Sequence, residues 1–60
     1  MTGTDLKIER IRAGVKQQDV ARVFGATPGR LSQIERPNAV SPSIAARYLA
    51  ALAECQRKAA

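Results

Sequence analysis

The segment Gln17 to Arg36, QQDVARVFGATPGRLSQIER, decides the fold. Val20, Ala21 and Phe24 recur at helical steps and share one face of a first short helix. Gly25 ends it, because a residue without Cβ accepts the positive φ of a sharp turn. Thr27 followed by Pro28 is an oxygen-bearing cap followed by a residue suited to the first helical position. Leu31 and Ile34 then supply the buried side of a second helix.

At about 100° per residue, Leu31 and Ile34 define an inward direction, and Gly29, Ser32, Gln33 and Arg36 fall on the opposite side. That outward face is small, polar and cationic. Ala21 is small enough to let the two helices approach closely where they cross. Two short helices, a glycine turn and an outward polar face form a pattern suited to reading duplex DNA.

From about Leu6 to Leu52 the chain resembles the lambda repressor and Cro family of helix-turn-helix regulators, the xenobiotic-response-element type. Gln17, Val20, Ala21, Phe24, Gly25, Leu31, Ser32, Ile34 and Glu35 stand where that family usually has glutamine, aliphatic, alanine, aliphatic, glycine, aliphatic, serine, aliphatic and glutamate. Arg10 ahead of Gly14 and Val15 also fits. The resemblance implies a second helix lying in the major groove while the first crosses the backbone. It also implies an ion pair between Arg10 and Glu35 that ties the first helix of the domain to the reading unit. Lys16 stands where the family often has serine, and Pro37 where relatives commonly carry glycine.

Sixty residues make one domain with a core of little more than one layer of side chains. Phe24 and Tyr48 are its aromatic residues, so Leu, Ile, Val and Ala fill the rest. This size suits a binding module better than an enzyme with its own pocket. Ten Lys and Arg against five acidic residues give a net charge of +5, which favours an anionic partner. Cys55 is the one cysteine and histidine is absent, so neither an internal disulfide nor a His/Cys zinc cluster is expected. With one unactivated cysteine and scattered carboxylates there is no acid, base and nucleophile set, so no catalytic site, cofactor or metal is expected. No apolar run approaches membrane-spanning length and the start of the chain lacks a signal-peptide pattern, which predicts a cytoplasmic protein.

Along the chain, Met1 to Thr4 read as a frayed end. Thr4 or Asp5 is the predicted cap of a first helix running to about Ala13, where Gly14 stops it. Leu6, Arg10 and Ala13 share one face, while Ile8 and Ile11 lie together on nearly the opposite one. A second helix starts near Lys16 or Gln17, with Asp19 at the positive end of its dipole. A third spans about Pro28 to Glu35, followed by a loop over Arg36 to Ser41. Ser41, Pro42 and Ser43 read as a cap and first turn of a fourth helix reaching Gln56 or beyond, whose inner stripe is Ile44, Ala45, Tyr48, Leu49 and Leu52. The resulting expectation is an all-α bundle of four or five helices, since relatives often add a fifth.

The predicted base-contacting set is Thr27, Pro28, Gly29, Ser32 and Gln33. A glutamine amide can pair bidentately with adenine, and a threonine methyl can meet that of thymine. Pro28 and Gly29 stand where relatives often carry long base-reading side chains, and neither has a side-chain donor, which shifts weight to Gln33, Ser32, Arg30 and DNA shape. The predicted phosphate-contacting set is Lys16, Gln17, Arg30, Arg36 and Asn38, with Gln17 acting together with the amides of its helix end. Cys55 reads as a small apolar residue.

The expected function is therefore a transcription regulator that occupies an operator in double-stranded DNA, either a Cro-like or small phage repressor or the DNA-binding domain of a longer one. Its subunits act as a homodimer on a palindromic operator or singly, and no small-molecule effector or membrane is expected as a partner. A rival is an antitoxin-type interaction module that uses the Ile8 and Ile11 face to bind a protein.

Overall fold

The sequence T-x-x-D at Thr2 to Asp5 opens the first helix. The Asp5 amide donates to Thr2 Oγ1 at 3.3 Å, and the Thr2 amide donates to Asp5 Oδ2 at 2.9 Å. Two otherwise unpaired donors of the helix end are satisfied reciprocally. This arrangement holds the Asp5 carboxyl below its ordinary value through the bonds from the Thr2 backbone and side chain. The computed structural model describes residues 1–59, and in it α1 spans Gly3–Arg12, α2 Gln17–Phe24, α3 Pro28–Ile34 and α4 Pro42–Ala59. Four helices are thus present among the described residues, without a fifth.

The start of the chain corrects the sequence reading. The cap is Thr2 rather than Thr4 or Asp5, and Met1 to Thr4 are not a frayed end. Thr2 pairs with Ala39 in an isolated antiparallel bridge. The Gly3 amide donates to the Asn38 carbonyl at 3.0 Å and the Val40 amide to the Met1 carbonyl at 3.1 Å. The loop after α3 is therefore tied down by the N-terminus. Gly3 is buried there, and a Cβ added to it would overlap the carbonyl oxygens of Ile34 and Arg36 and lie 2.7 Å from the Arg36 amide nitrogen. Only glycine lets α1 begin so close to the end of α3.

The remaining boundaries follow local chemistry. Gly14 (φ 71°) turns the chain after α1, and Gly25 (φ 87°) ends α2 while its amide donates to the Ala21 carbonyl at 2.9 Å. Thr27 caps α3 by accepting from the Arg30 amide at 3.2 Å, with Pro28 in the first turn. The last residue of α3 is Ile34, and Glu35 is its C-cap. Ser41 Oγ accepts from the Ile44 amide at 3.3 Å at the start of α4.

α4 packs along α2 and also meets α1, while α3 packs on α2. Leu6, Val20, Leu31 and Tyr48 are the largest fully buried side chains, with Ala21, Ile34, Ala45, Ala51, Leu52 and Cys55 completing the core. Val23, Phe24, Ile44 and Leu49 are half-buried at its edge. Ile8 and Ile11 are exposed, at 45% and 58%. Cys55 is buried, and that burial pushes its thiol up from the ordinary value, with the charge of Asp19 adding to it. No helix among the described residues is long and apolar enough to cross a membrane.

Candidate nucleic-acid interface

The α2 and α3 helices are joined by the three residues Gly25, Ala26 and Thr27. Because Leu31 and Ile34 turn into the core, the other side of α3 is left outside, and Gly29, Arg30, Ser32 and Gln33 are all exposed. Thr27 and Pro28 are exposed at its start, and Arg36 and Asn38 in the turn after it. Lys16 is exposed as the N-cap of α2, where its side chain makes no capping bond. Arg36 lies two residues beyond the helix rather than on it, and is exposed.

The base of this surface is a buried polar cluster centred on Glu35, which is 7% exposed. Arg10 Nε donates to Glu35 Oε2 at 2.9 Å, and a second guanidinium nitrogen donates to Oε1 at 3.4 Å. The Arg10 to Glu35 pair expected from the family resemblance is therefore present. Arg10 also donates to the Val15 carbonyl at 3.0 Å. Tyr48 Oη donates to Glu35 Oε2 at 2.5 Å, and Gln17 Nε2 to Oε1 at 3.2 Å. One carboxylate thus accepts from α1, α2 and α4. Among the described residues no buried side-chain nitrogen or oxygen lacks a partner.

Charge and burial in this cluster act on its donors. For Arg10, burial disfavours the charged form, but the bond to Glu35 and its negative charge outweigh that and raise the guanidinium above its ordinary value. For Tyr48, burial and the adjacent carboxylate act together and push the phenol well up. Tyr48 is the partner that the sequence reading missed. Its place on the inner stripe of α4 marked it as core, and a buried tyrosine hydroxyl needs an acceptor.

Gln17 opens α2, as expected, and its side chain also bonds within the domain. Its side chain is half-buried, and Nε2 is shared between Glu35 and Ser32 Oγ, the latter at 3.2 Å. The amide is committed inward, so it orients Ser32 rather than standing free at the end of α2. Gln33 is exposed, and its Oε1 accepts from an Arg30 guanidinium nitrogen at 3.4 Å. Lys16, Arg30 and Arg36 are exposed cations, while Glu35 is buried and paired. Compared with family models, curated proteins and solved structures, the chain finds no match in any of the three.

Proposed function

We propose that the protein binds duplex DNA sequence-specifically and regulates transcription by occupying an operator. In this reading α2, the glycine turn and α3 form a helix-turn-helix of the lambda repressor type, with α3 in the major groove. The observation that carries it is the exposed side of α3. A short capped helix uses Leu31 and Ile34 to hold itself on the core and leaves Ser32 and Gln33 outside, with Arg30 exposed on the same helix, Arg36 in the turn after it and Lys16 at the cap of α2. Cations meet phosphates and set the register, while Ser32 and Gln33 reach base edges. Gln17 contributes by fixing Ser32, and any phosphate at that end of α2 meets the first-turn amides.

The test is a fluorescence titration of duplexes selected from random DNA, repeated over a range of salt, with sedimentation to give stoichiometry. Roughly 4 to 6 phosphate contacts per subunit give a log–log slope near −0.9 for each phosphate. If two subunits bind together, the selected site is an inverted repeat with half-sites about 10 bp apart. No affinity for any duplex at low salt rejects the reading. The exposed Ile8 and Ile11 on α1 favour a second reading, an antitoxin-type module whose main partner is a protein. A protein partner lost on Ile8→Ser and Ile11→Ser, in a chain that ignores DNA, would establish that alternative.

A further inference from the structure

A groove of about 650 Å³ runs between α2 and α4, away from the residues of the α3 face. Its apolar floor is formed by Val23 and Phe24 from α2 and by Ala50 and Ala51 from α4. Four cations stand at its edge, Arg22, Arg47, Arg57 and Lys58, against the single carboxylate of Glu54. Arg57 pairs with Glu54. Arg22, Arg47 and Lys58 make no ion pair among the described residues.

Arg47 is not free to wave in solvent. Its guanidinium lies over the Phe24 ring, 4.5 Å from the centroid, and donates to the Phe24 carbonyl at 3.5 Å. A fixed cation over an apolar floor, with further cations along the edge, complements a ligand that has an apolar stripe flanked by acids. The groove positions of α4 recur at steps of three and four from Arg47 to Lys58, a length of about 16 Å at 1.5 Å per residue. That matches roughly three turns of a helix laid alongside, whose apolar anchors repeat at i, i+3, i+4 and i+7.

We propose that this groove docks an acidic amphipathic helix of a partner protein. A nucleic-acid backbone would use the cations but gains nothing from Val23, Phe24 and Ala50, whereas an acidic amphipathic helix uses both. The groove shares no residue with the α3 face. The proposal does not depend on DNA binding.

The test uses the full 60-residue chain, isotope-labelled, and a short synthetic helical peptide of Glu, Ala and Leu with all leucines on one face. A peptide of the same composition with its leucines scattered is the control. The amphipathic peptide should shift the amides of Val23, Phe24 and Ala50 saturably, and the control should bind about tenfold more weakly. Arg47→Glu and Ala50→Glu should each weaken the complex about tenfold. Ala50 is an exposed helical position, so Ala50→Glu keeps the fold intact if Arg47→Glu does not. Equal binding of the two peptides would reduce the effect to net charge and overturn the proposal, as would no saturable shift at about 1 mM peptide. Duplex DNA that moves the same amides and displaces the peptide would assign the groove to nucleic acid instead.

Discussion

Replacing Glu35 with alanine should cost this protein most of its stability. Three side chains converge on that carboxylate, from Arg10, Gln17 and Tyr48, and the two members of the ion pair are 13% and 4% exposed. Breaking a buried pair by removing one partner costs about 3–5 kcal/mol, because the remaining charge stays buried without compensation. Two features pull the value towards the lower end. Arg10 keeps the Val15 carbonyl, and its residual exposure admits water; Gln17 keeps Ser32. Against this, the Tyr48 hydroxyl is fully buried and loses its acceptor, which adds about 1–3 kcal/mol. A loss of about 4–6 kcal/mol is therefore expected, in a domain whose total stability at this length is of the order of 3–9 kcal/mol. Urea unfolding followed by circular dichroism at 222 nm reads this directly. In thermal melting the same loss is a fall of at least about 16 °C, at 4–8 °C per kcal/mol for a domain of this size. A Glu35→Ala midpoint equivalent to within about 0.5 kcal/mol of wild type, the range of an ordinary surface substitution, would refute the buried-hub account.

Gly3→Ala should destabilise by about 1–3 kcal/mol by forcing the start of α1 away from two backbone carbonyls that cannot rotate aside; an unchanged urea midpoint would show that the contact is loose. Tyr48→Phe should cost about 1.5–3 kcal/mol at neutral pH, the range for a hydrogen bond to a charged group. Because the folded-state phenol is raised, its contribution is fully present below the unfolded value near 10 and declines as pH rises above it, so wild type should lose more stability than Tyr48→Phe between about pH 9 and 11. Parallel loss in both proteins would disconnect Tyr48 from the alkaline limb. On selected operators, Gln33→Ala should cost about 1–3 kcal/mol and relax preference at one base pair per half-site, while Arg36→Ala weakens all sequences alike and flattens the salt slope. The opposite pattern, measured on operators changed one base pair at a time, would exchange the roles of reader and anchor.

The helices were legible wherever short-range chemistry sets them. Gly25, Thr27 and Pro28 fix the turn and the start of α3 through φ and capping alone, and Leu31 and Ile34 fix which side faces inward. Ser41 and Pro42 likewise mark the start of α4. Most of what sequence reading missed depends on residues far apart in the chain. Gly3 looks like a flexible end until Ile34, Arg36 and Asn38 come against it, and its burial is a property of the fold rather than of the neighbouring residues. The Thr2 and Asp5 pair was available locally as a capping box, overlooked because Thr4 and Asp5 are also capping residues. Gln17 shows the same limit at the site. Its helix position was readable, but the competition between solvent, phosphate and Glu35 for its amide is decided by the 18-residue separation from Glu35 closing in space.

That closure shapes what the α3 face can recognise. Gln17 donates to Ser32 Oγ, which fills one of that oxygen's two acceptor sites and leaves the other, with the rotatable hydroxyl proton, for a ligand. Gln33 Oε1 is engaged by Arg30, which leaves the Gln33 amino group as the outward donor. Pro28 and Gly29 add no side-chain donor or acceptor, and Lys16, Arg30 and Arg36 are donors only. In the proposed reading the cationic donors suit phosphate oxygens and guanine O6 and N7, while Ser32 and Gln33 can both donate and accept. A bidentate pair with adenine needs Gln33 Oε1 as an acceptor, and that oxygen keeps a second lone pair open beside the 3.4 Å bond from Arg30. At that length the bond is weak, and the guanidinium is available to a neighbouring phosphate. Arg30→Ala should free Gln33 and so preserve base preference while lowering affinity and the salt slope. Loss of preference in Arg30→Ala would instead mean that Arg30 itself reads a base.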